Sequence, residues 1–170
     1  MIEIRKEKKE DYEKIYNVIK TAFQTAEHCD GNEQDLVNDL RNGDGYIPEL
    51  SLVALSEGKV VGYIMFTKIL INNNEEIALA PLAVLPEYQR QGIGIALIEK
   101  GHSIARRMGY HYSVVLGSKD YYKKTGYEPA KNFGILAPFE VDSNNFMAKR
   151  LNNTDKEING VVNYAKEFKI

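Results

Sequence analysis

The run Val-Leu-Pro-Glu-Tyr-Gln-Arg-Gln-Gly-Ile-Gly, residues 84–94, holds the residue types and spacing best suited to chemistry. Gln89, Arg90, Gln91, Gly92 and Gly94 stand where a helical pattern begins, and small residues at a helix start leave backbone N–H groups open to an anion. Two familiar phosphate loops do not match. A P-loop requires Gly-Lys-Ser/Thr, but Gly94 is followed by Ile95-Ala96. A dinucleotide fingerprint requires a third glycine where Leu97 stands, and a parallel first unit in place of a meander. Taken alone, Gly92-Ile93-Gly94 is equally compatible with a turn that packs a helix closely on a strand.

The other reactive-looking cluster is His28-Cys29-Asp30. No second cluster completes a ligand set, because His102 and His111 stand elsewhere, so Cys29 reads as incidental and no metal is expected.

Several elements must position the glycine run. Residues 2–5 alternate like a short strand, and Tyr12, Ile15, Tyr16, Ile19 and Phe23 recur at helical spacing. Leu36, Val37 and Leu40 predict a second, shorter helix, closed by Asn42-Gly43-Asp44-Gly45. Strands over residues 50–55, 60–71 and 77–84, joined at Glu57-Gly58 and Asn72-Asn73-Asn74, make an antiparallel meander. The glycine run then opens a helix with Ile93, Leu97 and Ile104 on one side, ended by Arg106, Arg107 and Gly109. Residues 112–116 form a strand that a crossover places parallel to residues 77–84. Further strands are expected near Tyr127 and across residues 146–149, and the tail from Asn152 to Ile170 packs as a helix or a strand. The fold class is α/β with a mixed sheet: a meander followed by a βαβ unit.

The bulk numbers agree with one domain. The chain has 170 residues with 44% hydrophobic content, and its 22 basic and 24 acidic residues are interleaved to a net charge of −2. No basic stripe of the nucleic-acid-binding kind is present, and the Lys6–Asp11 stretch reads as a solvated helix entrance. The N-terminus lacks a signal-peptide core and no stretch has the length of a membrane span, so no membrane partner is expected. Cys29 is the only cysteine, which excludes an intrachain disulfide and points to the cytoplasm; Asn152-Asn153-Thr154 is then a chance glycosylation match.

The pattern Gln89-x-x-Gly92-x-Gly94, preceded by Leu82-Ala83-Val84-Leu85-Pro86, resembles the coenzyme A pyrophosphate loop of the GNAT superfamily of N-acetyltransferases. Tyr122-Lys123-Lys124-Thr125-Gly126-Tyr127 is similar to the superfamily's Tyr-x-x-x-Gly-aromatic signature, one strand after the loop helix. The runs LAPLAVLPEYQRQGIG and VLGSKDYYKKTGY are especially similar to the bacterial YhbS-like branch. The likeness covers roughly residues 1–150, with a C-terminal extension, residues 151–170, packed on the same domain.

The resemblance implies a GNAT-like fold and acetyl-CoA as cosubstrate, with transfer of the acetyl group to a primary amine. Its pyrophosphate would meet the N–H groups of residues 89–95, namely Gln89, Arg90, Gln91, Gly92, Ile93, Gly94 and Ile95. By the same resemblance Leu82, Ala83 and Val84 line the pantetheine arm, with the Leu82 amide on the thioester oxygen. Tyr122 is then the acid that protonates the leaving thiolate; Tyr121 is its nearest rival, and Tyr121, Ser118 and Lys119 are further cofactor contacts. A base is not assignable among Glu75, Glu76, Glu27 and Glu33, and a water chain serves equally. The superfamily often dimerises, so a homodimer is one expected state. A non-catalytic acyl-CoA-binding module stands as the other class of function, and the acceptor, framed by residues 25–45 and 132–145, is not named by the pattern.

Overall fold

The computed structural model describes residues 1–24 and 31–170. Glu27 and the His28-Cys29-Asp30 cluster therefore lie outside the described residues. In chain order the elements are β1 (Ile2–Lys6), α1 (Tyr12–Gln24), α2 (Glu33–Arg41), β2 (Tyr46–Ser56), β3 (Lys59–Ile71), β4 (Asn74–Val84), α3 (Ile93–Arg107), β5 (Tyr112–Leu116), α4 (Lys119–Tyr122), β6 (Glu128–Pro129), β7 (Ile135–Leu136), β8 (Phe146–Arg150) and β9 (Gly160–Asn163). The sheet runs β1-β2-β3-β4-β5-β8-β6, with β9 pairing both β3 and β7.

The meander forms because its turns suit left-handed backbone. Glu57 and Gly58 join β2 to β3 with φ of 49° and 81°, and Asn72 and Asn73 join β3 to β4 with φ of 48° and 70°. Strand β5 pairs parallel to β4, as the crossover requires. The tail resolves as a strand: β9 adds Asn163 and Val162 opposite Leu70 and Ile71, on the length of β3 that extends past β2.

Alternation along β3 sends its side chains to two helical layers. Gly62 meets Ile93 and Leu97 of α3, and Phe66 packs on Gly101, so closely that a Cβ there would stand 2.3 Å from the ring. Tyr63 points the other way, and its hydroxyl donates to Glu7, which pairs with Arg41 of α2. Helices α1 and α2 thus cover one face and α3 the other. Ile15, Val18 and Ile19 of α1 and Leu97 and Ile98 of α3 fill the main core between them. No described helix is long and apolar enough to cross a membrane.

Candidate functional site

Strands β4 and β5 hold together over a short ladder, Ile77↔Ser113 and Ala78↔Val114, although β4 continues to Val84 and β5 to Leu116. Glu76 fastens the closed end of this fork. Its side chain is 1% exposed. Oε1 accepts the N–H of His111 at 2.7 Å and of Tyr112 at 2.9 Å, and Oε2 lies 2.9 Å from His111 Nδ1. With its oxygens so occupied, Glu76 is a clip between strands and is not placed to take a proton from a substrate. Glu75 is exposed and faces Lys68 at 3.9 Å, away from the fork.

Register decides what the open edge of β4 offers. Ala80 and Pro81 stand opposite the single residue Met65, a bulge that resets the pairing to Ile64↔Leu82, Tyr63↔Ala83 and Gly62↔Val84. The Leu85 N–H donates to Val61 O at 2.9 Å, which makes Val61 and Leu85 a hydrogen-bonded pair. By alternation Tyr63 and Ala83 form the next such pair, while the N–H and C=O of Leu82 and Val84 point away from β3. The Gln89 side chain confirms the direction by donating to Val84 O at 3.0 Å. Leu82 and Val84 therefore present main-chain groups to the fork. Ala83 turns its own toward β3, and its side chain is buried in the core.

A cleft of about 600 Å³ opens along this edge. Leu82, Val84, Gln89, Arg90, Gly92, Ile93, Gly94, Ile95 and Tyr121 line it, as do two residues without a sequence signal, Tyr88 and Lys124. Gly92 is the N-cap of α3 with φ of 83°, a left-handed conformation that glycine adopts without a Cβ penalty. No side chain caps this helix and no acidic residue stands in its first turn, so the N–H groups of residues 92–95 meet the cleft as a positive helix end. Lys124 Nζ lies 5.6 Å from the centre of the Tyr121 ring. Gln91 is exposed outside the cleft wall and donates to Glu87 O at 3.2 Å. Ser118 also stands outside it, as the cap that accepts the Tyr121 N–H at 3.4 Å.

A second, smaller cleft of about 240 Å³ lies across the fork. Phe23 of α1, Glu33 and Leu36 of α2, Pro81 and Leu82 of β4 and Tyr122 of α4 are among its walls. Leu82 is common to both clefts. Tyr122 packs against Gly117 and sits edge-on to Tyr127 with ring centres 5.7 Å apart. Burial raises the Tyr122 hydroxyl well above the ordinary tyrosine value, so it stays protonated through the neutral range. Tyr127 is held from behind by His102, 2.9 Å from its hydroxyl, and by Ser113 at 2.8 Å. Of the carboxylates singled out in the sequence, Glu33 is the one among the described residues that reaches this cleft. Among the described residues no three His, Cys, Asp or Glu side chains converge as a metal site.

Residues 11–127 match the sequence profile of the acetyltransferase (GNAT) family. The chain is 42% identical over 114 residues to the uncharacterized N-acetyltransferase YjhQ of Escherichia coli K12, a match covering 64% of this chain and 63% of that protein, just under two thirds of its length. It is 33% identical over 142 residues to the uncharacterized N-acetyltransferase YhbS of the same strain, covering 80% of this chain and 83% of YhbS. The crystal structure of Escherichia coli YhbS in complex with CoA superposes with a TM-score of 0.88 at 27% identity, over 99% of this chain and 92% of that one. A GNAT acetyltransferase from Brucella melitensis in complex with acetyl-CoA gives a TM-score of 0.82 at 29% identity, over 99% and 98% of the two chains.

Proposed function

The chain belongs to the acetyltransferase (GNAT) family, and from that premise we propose that it moves the acetyl group of acetyl-CoA onto a primary amine held at the β4–β5 fork. One observation carries this reading. Leu82 turns its N–H into the fork and lines both clefts, so a thioester beside it is open to the larger cleft on one side and the smaller on the other.

In this reading the coenzyme A pyrophosphate takes the N–H groups of residues 92–95, with Arg90 and Lys124 on the same wall. A mildly acidic protein can thus hold a polyanion, because the positive potential is local. The pantetheine arm runs along the outward main-chain groups of Val84 and Leu82. The amine lone pair adds to the thioester carbonyl carbon, and the resulting oxyanion accepts the Leu82 N–H, an interaction worth ~3 kcal/mol. Collapse breaks the C–S bond, the thiolate takes the Tyr122 proton, and the extra proton on nitrogen leaves to solvent. Tyr122 suits the acid role because it borders Leu82 and is protonated at working pH.

Thermal unfolding with and without acetyl-CoA, with ATP and NAD as controls, tests the first half. Ligand at a hundred times its Kd adds ~2.7 kcal/mol of stability. A rise specific to acetyl-CoA supports the assignment of the larger cleft, and thiol release on adding amines then tests transfer. No shift at saturating acetyl-CoA overturns the reading.

A further inference from the structure

Tyr122 borders Leu82 at the fork, and its ring is held by three contacts. It packs on Gly117, where a Cβ would stand 2.5 Å from the ring, and it meets Tyr121 and Tyr127 edge-on, with ring centres 5.1 Å and 5.7 Å away. Its carbonyl accepts the Thr125 hydroxyl at 3.0 Å and the Tyr127 N–H at 3.3 Å, across a turn that Gly126 closes with φ of 91°. Tyr127 is itself anchored at its hydroxyl, between His102 Nε2 of α3 and Ser113 Oγ of β5. All three residues are buried, so the phenol is fixed between the helix that opens at Gly92 and one arm of the fork. It cannot slide along the sheet without breaking a buried hydrogen bond.

We infer, on the reading that Tyr122 is the acid, that His102 and Tyr127 are positioning residues that aim the Tyr122 hydroxyl at the thioester sulfur. They act through the edge contact between the two rings. Because Tyr127 backs Tyr122 and not the helix end at residues 92–95, loosening it should change kcat and leave acetyl-CoA binding as it is. The network gives His102 a use for its neutral imidazole: one nitrogen holds Tyr127 from the helix side while Ser113 holds it from the strand side.

Two measurements on the full chain test this. The first needs no acceptor: NMR of protein grown on tyrosine labelled with carbon-13 at Cζ, with the Tyr122 signal assigned by its loss in Tyr122→Phe. In His102→Leu that signal should move or split; in His102→Gln, whose amide still reaches the Tyr127 hydroxyl, it should stay near its wild-type place. An unmoved Tyr122 signal in His102→Leu overturns the inference. The second is coenzyme A release with the best turned over of n-butylamine, 2-phenylethylamine, spermidine and glycine. Tyr127→Phe should lower kcat by about tenfold with the KM for acetyl-CoA unchanged, and His102→Gln should keep more of kcat than His102→Leu. In the Tyr122→Phe background Tyr127→Phe should lower kcat no further, because the hydroxyl it aims is already gone. An equal loss in both backgrounds makes the network merely structural and overturns the inference, as does a full kcat in Tyr127→Phe. A full kcat in Tyr122→Phe alone strikes instead the acid assignment, and a missing thermal shift with acetyl-CoA strikes the cofactor reading, so each failure is told apart from the others.

Discussion

The hydroxyl of Tyr121 lies directly over Cα of Gly94, so closely that a Cβ on residue 94 would come within 2.2 Å of it. A side chain of the α4 turn thereby closes over the first turn of α3, and both residues face the larger cleft. Glycine at this position serves two neighbours at once: the tyrosine above it and the phosphates that the helix end would hold. Gly94→Ala should fold, because the blocking atom is the far end of a side chain that can swing away and alanine is the better helix former by ~1 kcal/mol. Its Kd for acetyl-CoA should rise by about tenfold or more, since a Cβ enters the proposed phosphate cradle. Calorimetry of Gly94→Ala in the wild-type and Tyr121→Phe backgrounds separates the causes. Persistence of the loss in the double variant assigns it to the phosphates; recovery assigns it to displacement of Tyr121.

The two adjacent tyrosines should divide their effects between the clefts they line. Tyr122 borders the smaller cleft and Leu82, and Tyr121 borders the larger one. Tyr122→Phe removes the proposed proton donor and should lower kcat by about 10²-fold with little change in the KM for acetyl-CoA. Tyr121→Phe should move the KM for acetyl-CoA more than kcat. A full kcat in Tyr122→Phe would mean that the thiolate takes its proton elsewhere, and the opposite split would exchange the two roles.

Much of this arrangement was legible because it depends on local residue types. Gly92 and Gly94 ahead of Leu97 and Ile98, and the turns at Gly58 and Asn73, declare themselves through backbone preferences that neighbours hardly alter. Residues whose roles depend on pairing across the sheet did not. Glu76 looks like any strand carboxylate until β5 brings the N–H groups of His111 and Tyr112 to it. Whether Leu82 or Ala83 faces the fork turns on a parity that the bulge at Ala80 and Pro81 resets, and a one-residue change inverts every direction beyond it. Tyr88 and Lys124 enter the cleft wall because separate turns bring them there. Glu33 and Glu75 are indistinguishable as letters, yet one lines the smaller cleft from α2 and the other pairs with Lys68 at the start of β4.

Stability should fall between pH ~6.5 and about 4 through His102. Burial lowers this imidazole to about 4, and Lys149 and Arg106 add to the effect. It is therefore neutral in the folded chain while its unfolded counterpart already binds a proton. The unfolded state then holds more protons in that window, so stability is complete above pH ~6.5 and is lost as pH falls toward the folded value, by about 3 kcal/mol in total. Urea unfolding at pH 7, 5.5 and 4.5 should show this slope, and His102→Gln should flatten it. An equal slope in the variant would assign the acid limb to other groups.

The Glu7–Arg41 pair should be the costliest single contact to break on the α2 side. Both side chains are almost fully buried, at 1% and 7% exposure. Arg41 grips the carboxylate with two nitrogens, Nε at 3.1 Å and Nη2 at 2.9 Å. Tyr46 and Tyr63 donate their hydroxyls to the same carboxylate, and the guanidinium lies 3.8 Å from the centre of the Tyr12 ring. Glu7→Ala leaves this cation buried without its counter-charge and should cost about 3–5 kcal/mol, read as a lower urea midpoint with an unchanged slope. Replacing both partners, as in Glu7→Leu with Arg41→Met, removes the stranded charge along with the pair. Tyr63 keeps the Ser51 hydroxyl as a partner, and this variant should be more stable than Glu7→Ala alone. If it is no better, the cost lies in the hydrogen bonds the tyrosine hydroxyls lose with Glu7 and not in the guanidinium.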